Sequence, residues 1–161
     1  MGIARSLIVA VVMLGVAPAA AGPLEDGKAA WERKDYATAL ADLQPLADQG
    51  AARAQAMIGL MNMAGQGVPY NFEEAAKWFR KAADQDDGFA QTSLAMLYKR
   101  GAGVAQDNVQ AYFWLTLAAS HFSAEDAKVF VRNSRDPVSA RMTPAQIAEA
   151  ERLATQWKPV K

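Results

Sequence analysis

AARAQAMIGLMNMAGQGVPYNFEEAAKWFRKAADQD, residues 51–86, is followed without a gap by DGFAQTSLAMLYKRGAGVAQDNVQAYFWLTLAASHF, residues 87–122. With the second laid beneath the first, nine positions coincide: Ala54/Ala90, Gln55/Gln91, Gly65/Gly101, Gly67/Gly103, Val68/Val104, Ala75/Ala111, Trp78/Trp114, Ala82/Ala118 and Ala83/Ala119. Ile58/Leu94, Gly59/Ala95, Met61/Leu97 and Phe79/Leu115 add conservative pairs. Chance matches a few alanines in an alanine-rich chain. It does not readily match Gly-x-Gly-Val and a tryptophan in the same register. Moving back another 36 residues brings Ala39, Leu43 and Ala47 beneath Ala75, Phe79 and Ala83. A fixed period of this length marks stacked supersecondary units.

Each unit reads as two helices. The first runs from about Ala51 to Ala64 and is broken by Gly65-Gln66-Gly67-Val68-Pro69-Tyr70. Glycine permits left-handed dihedrals there, and proline cannot continue a helical ladder. Asn71 then suits an N-cap, with Glu74 three residues on. Phe72, Ala75, Ala76, Phe79, Ala82 and Ala83 follow on one helical face. The next unit repeats this with Gly101-Ala102-Gly103-Val104, then Asp107 as cap and Gln110 three positions later. Alternation suited to strands is absent. The expected fold is all-α, a short solenoid.

From Ala90 to Ala119 the chain reads Ala-x-x-x-Leu-x-x-x-Tyr-x-x-Gly-x-Gly-Val-x-x-Asp-x-x-x-Ala-x-x-Trp-x-x-x-Ala-Ala. This resembles a Sel1-like repeat, of the family related to tetratricopeptide repeats. Residues 51–86 resemble it too, with Asn62 where the motif has Tyr. Residues 24–50 look like a shorter, tetratricopeptide-like unit, with Lys34-Asp35-Tyr36-x-x-Ala39 as its turn and second-helix start. The resemblance implies a right-handed superhelical array of antiparallel helix pairs over residues 22–122. It also implies a concave face, lined by the first helix of each unit, that takes peptides or protein partners.

Residues 123–161 are not another copy. Ser123 with Asp126 is expected to cap a helix through about Asn133, with Ala127, Phe130 and Val131 on its apolar face and a break at Asp136-Pro137. Thr143-Pro144-Ala145-Gln146 opens a further helix, with N-cap, proline at the first position and glutamine at the third. Ile147, Ala150, Ala154 and Trp157 lie along one stripe of it, and Lys158-Pro159 ends it. A solenoid end needs such a capping element, apolar on one side and wet on the other. The ending Met142-Thr143-Pro144…Gln146…Trp157-Lys158-Pro159 is similar to that of exported bacterial Sel1-like proteins.

At the other end, Arg5, the apolar run Leu7 to Val16 and the small residues Ala17-Pro18-Ala19-Ala20-Ala21-Gly22 follow the order of a secretory signal peptide. The run is shorter than the roughly 20 apolar residues a bilayer span requires. Residues 1–21 are therefore expected to be removed, with cleavage after Ala21 or Ala19, leaving a periplasmic or secreted protein. About 140 residues would remain, enough for one domain with its own core.

The 161 residues carry seventeen basic and seventeen acidic side chains. Losing Arg5 leaves the balance one negative, which gives no electrostatic footprint for nucleic acid. The chain has no Cys and one His. Disulfides, thiolate metal sites, a lipid-modified N-terminal cysteine and multi-His zinc sites are excluded. His121, between Ser120 and Phe122, reads as a turn or packing residue, because neighbours on a helix point about 100° apart. Asp84-Gln85-Asp86-Asp87-Gly88 resembles the opening of a calcium loop, but Phe89 and Ala95 stand where such a loop needs glycine and glutamate. The acids more simply favour the N-terminus of the next helix. Both Gly-x-Gly pairs follow helices, not the strands that precede phosphate loops. Glu73/Glu74 and Glu125/Asp126 belong to first helical turns. The reading assigns no catalytic residue, cofactor or metal.

Binding then falls to the first-helix columns outside the motif: Gln55/Gln91, Ala56/Thr92 and Met63/Lys99. A repeated amide is suited to hydrogen-bond an extended backbone, and methionine is adaptable at binding surfaces. The expected role is a non-enzymatic adaptor for a protein or peptide, through Gln55, Gln91, Thr92, Met63 and Lys99, with no nucleic acid and no stable membrane insertion after signal removal. The competing expectations are an exported enzyme acting on cell-wall glycan or peptide, and a binding regulator of such an enzyme.

Overall fold

The computed structural model describes residues 22–160, so the expected signal segment lies outside the described residues. Three antiparallel helix pairs follow one another: α1 (Pro23–Glu32) with α2 (Tyr36–Asp48), α3 (Ala52–Ala64) with α4 (Phe72–Asp84), and α5 (Gly88–Arg100) with α6 (Asn108–Ala118). A 3₁₀ turn (Ala119–His121), α7 (Ala124–Phe130), a π-helical turn (Val131–Arg135), α8 (Asp136–Ser139) and α9 (Pro144–Gln156) complete the chain. The fold is a short all-helical solenoid closed by a C-terminal helix.

The caps are local and chemical. Asp35, Asn71, Asp87 and Asp107 accept from the backbone N–H groups of Thr38, Glu74, Ala90 and Gln110, so the second helix of every pair and α5 begin on a carboxylate or amide. Each removes an orphan donor, worth about 1 kcal/mol. Helices α3 and α5 end on Gly65 and Gly101, both left-handed at φ +66°. The two following turns match bond for bond. Gln66 N–H donates to Met61 and Asn71 N–H to Asn62; 36 residues on, Ala102 N–H donates to Leu97 and Asp107 N–H to Tyr98. Asn62 in place of Tyr thus leaves the turn unchanged, because the turn uses its carbonyl.

The second glycine of each turn sets the spacing between units. A Cβ on Gly67 would lie 2.9 Å from the Tyr36 carbonyl oxygen, and one on Gly103 would lie 2.3 Å from the Phe72 carbonyl. Tyr36 and Phe72 are the first residues of α2 and α4, themselves one period apart. Each turn therefore sits directly on the start of the preceding second helix, and only hydrogen fits there.

Two core clusters result. The first gathers Ala30, Ala39, Leu43, Ala47, Ala54, Met57, Ile58 and Met61 from α1–α3. The second runs from α4 to α9 through Phe79, Leu94, Trp114, Leu115, Val138 and Ala150. Alanine columns let helices approach, and the large residues fill what remains. The paired tryptophans differ: Trp114 is buried, with Trp157 of α9 edge-on at 6.3 Å and Arg80 over its ring at 5.0 Å, whereas Trp78 is half-buried under Lys81. The capping helix accounts for the contrast.

The C-terminal segment departs from expectation in one place. There is no break at Asp136-Pro137; α7 passes through the π-helical turn into α8, which starts at Asp136. Pro137 is the second residue of α8, directly after the π-helical turn. Phe130 stacks on Phe122 at 4.7 Å. Thr143 and Gln146 form a reciprocal capping box, and Ile147, Ala150, Leu153, Ala154 and Trp157 of α9 pack on the second core. The Tyr112 hydroxyl donates to Glu151 at 3.0 Å, joining α6 to α9, and Val160 N–H reaches back to the Asp84 carbonyl at 2.8 Å.

Two predictions follow from these joints. Gly103→Ala adds overpacking to a left-handed strain and is expected to cost about 3 kcal/mol, against about 1 kcal/mol for Gly50→Ala, which has φ +96° but nothing within 4 Å; urea unfolding of the two variants measures the difference. Burial first, then the bond to Glu151, holds the Tyr112 phenol above its ordinary value near 10. The fold thus favours the neutral phenol, so its contribution is complete below pH 10 and is lost as pH rises through the raised value. Thermal melts should show wild type losing its advantage over Tyr112→Phe above about pH 10, having been about 1 kcal/mol more stable at neutral pH.

Candidate functional site

The face made by the first helices carries a groove. On α3, Arg53, Met57 and Leu60 are spaced four and three residues apart, which places them on one side of the helix. Lys28, Trp31 and Glu32 of α1 flank them, and Phe89 of α5 closes the other side, around a depression of about 180 Å³. A second depression of about 390 Å³ continues from it, lined by Arg53, Asp87, Phe89, Thr92, His121 and Phe122. Arg53 and Phe89 line both, so they form a saddle between them.

Three aromatic residues supply the walls. Trp31 is half-buried and oriented by its indole N–H, which donates to Gln66 Oε1 at 2.8 Å. Phe89 and Phe122 are each 42% exposed, unusual for residues of their size. Phe89 leans edge-on against buried Phe79 at 6.1 Å, which fixes it from behind. The Arg53 guanidinium lies 5.7 Å from the Phe89 ring centroid and 3.7 Å from Asp87. At this exposure each contact is worth about 1 kcal/mol or less.

The acids beside the groove are used internally. Asp87 Oδ1 accepts the Ala90 N–H at 2.8 Å, as the expected favouring of a helix N-terminus requires. Asp86 Oδ1 lies 3.0 Å from Gln91 Nε2 and 3.0 Å from His121 Nε2. Burial holds the Asp84 carboxyl above its usual value, with Arg80 opposing. His121 ends the 3₁₀ turn, its ring so near α5 that a Cβ on Gly88 would come within 2.7 Å of it. Ser120 Oγ donates to the Leu117 carbonyl. Among the described residues no group of three His, Cys, Asp or Glu is suited to hold a metal, and no helix is long and apolar enough to cross a membrane.

Two of the five expected contact residues are buried, and two more lie away from the groove. Gln55 and Gln91 are buried, at 5% and 0% exposure, and do not reach the surface. Gln55 Nε2 donates to the Ala47 carbonyl at 3.1 Å and Gln91 Nε2 to that of Ala83 at 3.4 Å. Both acceptors lie in the last turn of the preceding second helix, one period apart. The repeated amide is an inter-unit clip, not a hand for a partner's backbone. Ala56 is buried as well, Met63 is half-buried against the larger core, and Lys99 is half-buried with its carbonyl accepting from Gln106. Of the five, Thr92 edges the groove.

Trp31, Arg53, Leu60, Phe89 and Phe122 were given no contact role in the sequence. A signal was present: Arg53 and Phe89 occupy one column of the repeat and differ completely.

Comparison with known proteins places this geometry. The Sel1 repeat model matches residues 52–87 and 88–121. A protein of Acanthamoeba polyphaga mimivirus described as containing Sel1-like repeats is 33% identical over 82 residues, which is 51% of this chain and 15% of that protein. A protective antigen of uropathogenic Escherichia coli strains with an SLR fold superposes with a TM-score of 0.75 at 29% identity, covering 84% of this chain and 29% of that one. A Sel1 repeat protein from Oxalobacter formigenes gives 0.60 at 24% identity, covering 84% and 61%. The chain spans well under two thirds of the first two.

The amide clip has a measurable consequence. Gln91→Met keeps the volume and deletes two hydrogen bonds, but it also removes a buried Oε1 that has no partner among the described residues, so urea unfolding should register a net loss of about 1 kcal/mol. Lys99→Ala, at a half-exposed position, should stay within about 0.5 kcal/mol of wild type. Equal small effects at both positions would remove the clip.

Proposed function

Since this chain carries two Sel1 repeats, which generally mediate protein–protein interaction, we propose that it is a non-enzymatic adaptor that holds a protein or peptide partner in the groove of its first-helix face. The carrying observation is the concentration there of exposed aromatic surface. Phe89 and Phe122, two of the large apolar side chains that the fold leaves in water, line one depression together. Exposed apolar patches rimmed by polar groups mark interaction sites, and aromatic residues with arginine dominate binding energy at interfaces.

The polar groups nearby favour binding over chemistry. The carboxylates beside the groove cap a helix or bind His121 and Gln91, and the histidine has no nucleophile in its hydrogen bonds. The segment Arg5 to Ala21 supports action outside the cytoplasm, in the periplasm or beyond the cell, because it has the charge, apolar run and small residues of an export signal.

Capture of partners from a periplasmic extract tests the reading with three baits: wild type, Phe89→Ala with Phe122→Ala, and Glu73→Ala with Lys77→Ala on α4. A partner retained by wild type and by the α4 variant, but reduced tenfold or more on the double phenylalanine variant, is the expected result. Equal recovery on all three baits sinks the proposed face. Thermal melts of each bait check that the fold is intact.

A further inference from the structure

The geometry points to one class of occupant: an extended peptide segment in which an acidic side chain stands between two bulky apolar ones. This rests on the first-helix groove being the partner surface and adds the chemistry of what enters it.

Arg53 carries the argument. Its side chain is 54% exposed, and it stands on the saddle between the two depressions. The nearest carboxylate oxygen, Asp87 Oδ2, forms a loose ion pair with it at 3.7 Å, beyond hydrogen-bond distance, while Asp87 Oδ1 caps α5. Asp86 is held by Gln91 and His121. A guanidinium has five N–H donors. The loose ion pair with Asp87 uses none of them in a hydrogen bond, so the Arg53 donors remain open to a closer carboxylate, over an aromatic ring. A planar fork so placed matches an incoming carboxylate with two parallel hydrogen bonds. Glu32 edges the far, α1 side of the smaller depression, so the preference for an anion is local to the saddle.

The apolar neighbours are set by the two depressions. The smaller has Met57 and Leu60 with Trp31 and Phe89 and holds a single large side chain. The larger has Phe89 and Phe122 beside Thr92. Because apolar surface lies on both sides of Arg53, the bound chain continues past it in both directions, so the carboxylate belongs to a side chain and not to a chain end. In an extended segment every second side chain points the same way, which makes Phe-x-Glu-x-Phe the simplest pattern that presents all three groups together.

The probe is a fluorescein-labelled, C-terminally amidated peptide, Gly-Ser-Phe-Ser-Glu-Ser-Phe-Ser-Gly, titrated with the full chain by fluorescence anisotropy. Versions with Lys or Gln replacing Glu, and one ending at Glu with a free carboxylate, are the comparators. The Glu peptide is expected to bind at least tenfold more tightly than the Lys peptide and than the truncated one. Arg53→Glu should invert the Glu/Lys preference, and Arg53→Gln should bring the two within about twofold, both with melting temperatures near wild type. Absence of saturable binding by the Glu peptide, equal affinity for Glu and Lys, or a truncated peptide that binds as well overturns the acidic motif. If the peptide fails while the phenylalanine variant still loses its captured partner, the groove stands and only the motif falls. If that variant also keeps its partner, both readings fall.

Discussion

Each unit of this solenoid is pinned to its predecessor at both ends of one helix. The glycine turn sits on the first residue of the preceding second helix, Gly67 on Tyr36 and Gly103 on Phe72. Eleven residues along that same helix, the amide of Gln55 or Gln91 reaches the carbonyl of Ala47 or Ala83. One contact is steric and tolerates only hydrogen; the other is polar and shut away from water. Two fixed points on a rigid rod leave the next unit little freedom to slide or tilt. The stacking geometry thus follows from four residues and their period, and the alanine columns between them supply the close approach.

That constraint explains what the sequence revealed and what it hid. Repetition reports the contacts that every unit must make again, so the helices, their caps and the turns were legible from the 36-residue period. The same logic should have excluded Gln55 and Gln91 from a binding surface. A column that repeats together with its acceptor column, Ala47 and Ala83, describes a joint. The groove lies instead in columns that do not repeat, where Arg53 gives way to Phe89 and Met57 to Ser93. Beyond the array there is no period to read, and the C-terminal segment was misjudged where Pro137 proved to open a short helix instead of ending one. Local preference does not distinguish those outcomes, because proline is acceptable at both places.

Burial of the repeated columns also shapes the electrostatics of the open face. The turn between α4 and α5 is acidic, with Asp84, Asp86 and Asp87 close together. The fold uses Asp87 to cap α5 and ties Asp86 to Gln91 and His121. The rim of the groove is mixed in charge, with Lys28, Glu32 and Asp87 around it and Arg53 over the Phe89 ring at its centre.

The small number of units makes the quality of these anchors matter more than area. Long arrays wrap a partner over many helices, whereas here three first helices and a 3₁₀ turn supply the face. Binding energy in such a surface must be concentrated in a few well-supported side chains. Phe89 meets that condition, since Phe79 of the core stands behind it and Arg53 lies over it. The C-terminal helix contributes indirectly. By closing Trp114 under Trp157, and by tying α6 to α9 through Tyr112 and Glu151, it covers the apolar side of the last helix pair. Phe89 and Phe122 lie apart from the Trp114–Trp157 contact, exposed along the larger depression, because α9 packs on α6, the second helix of that pair.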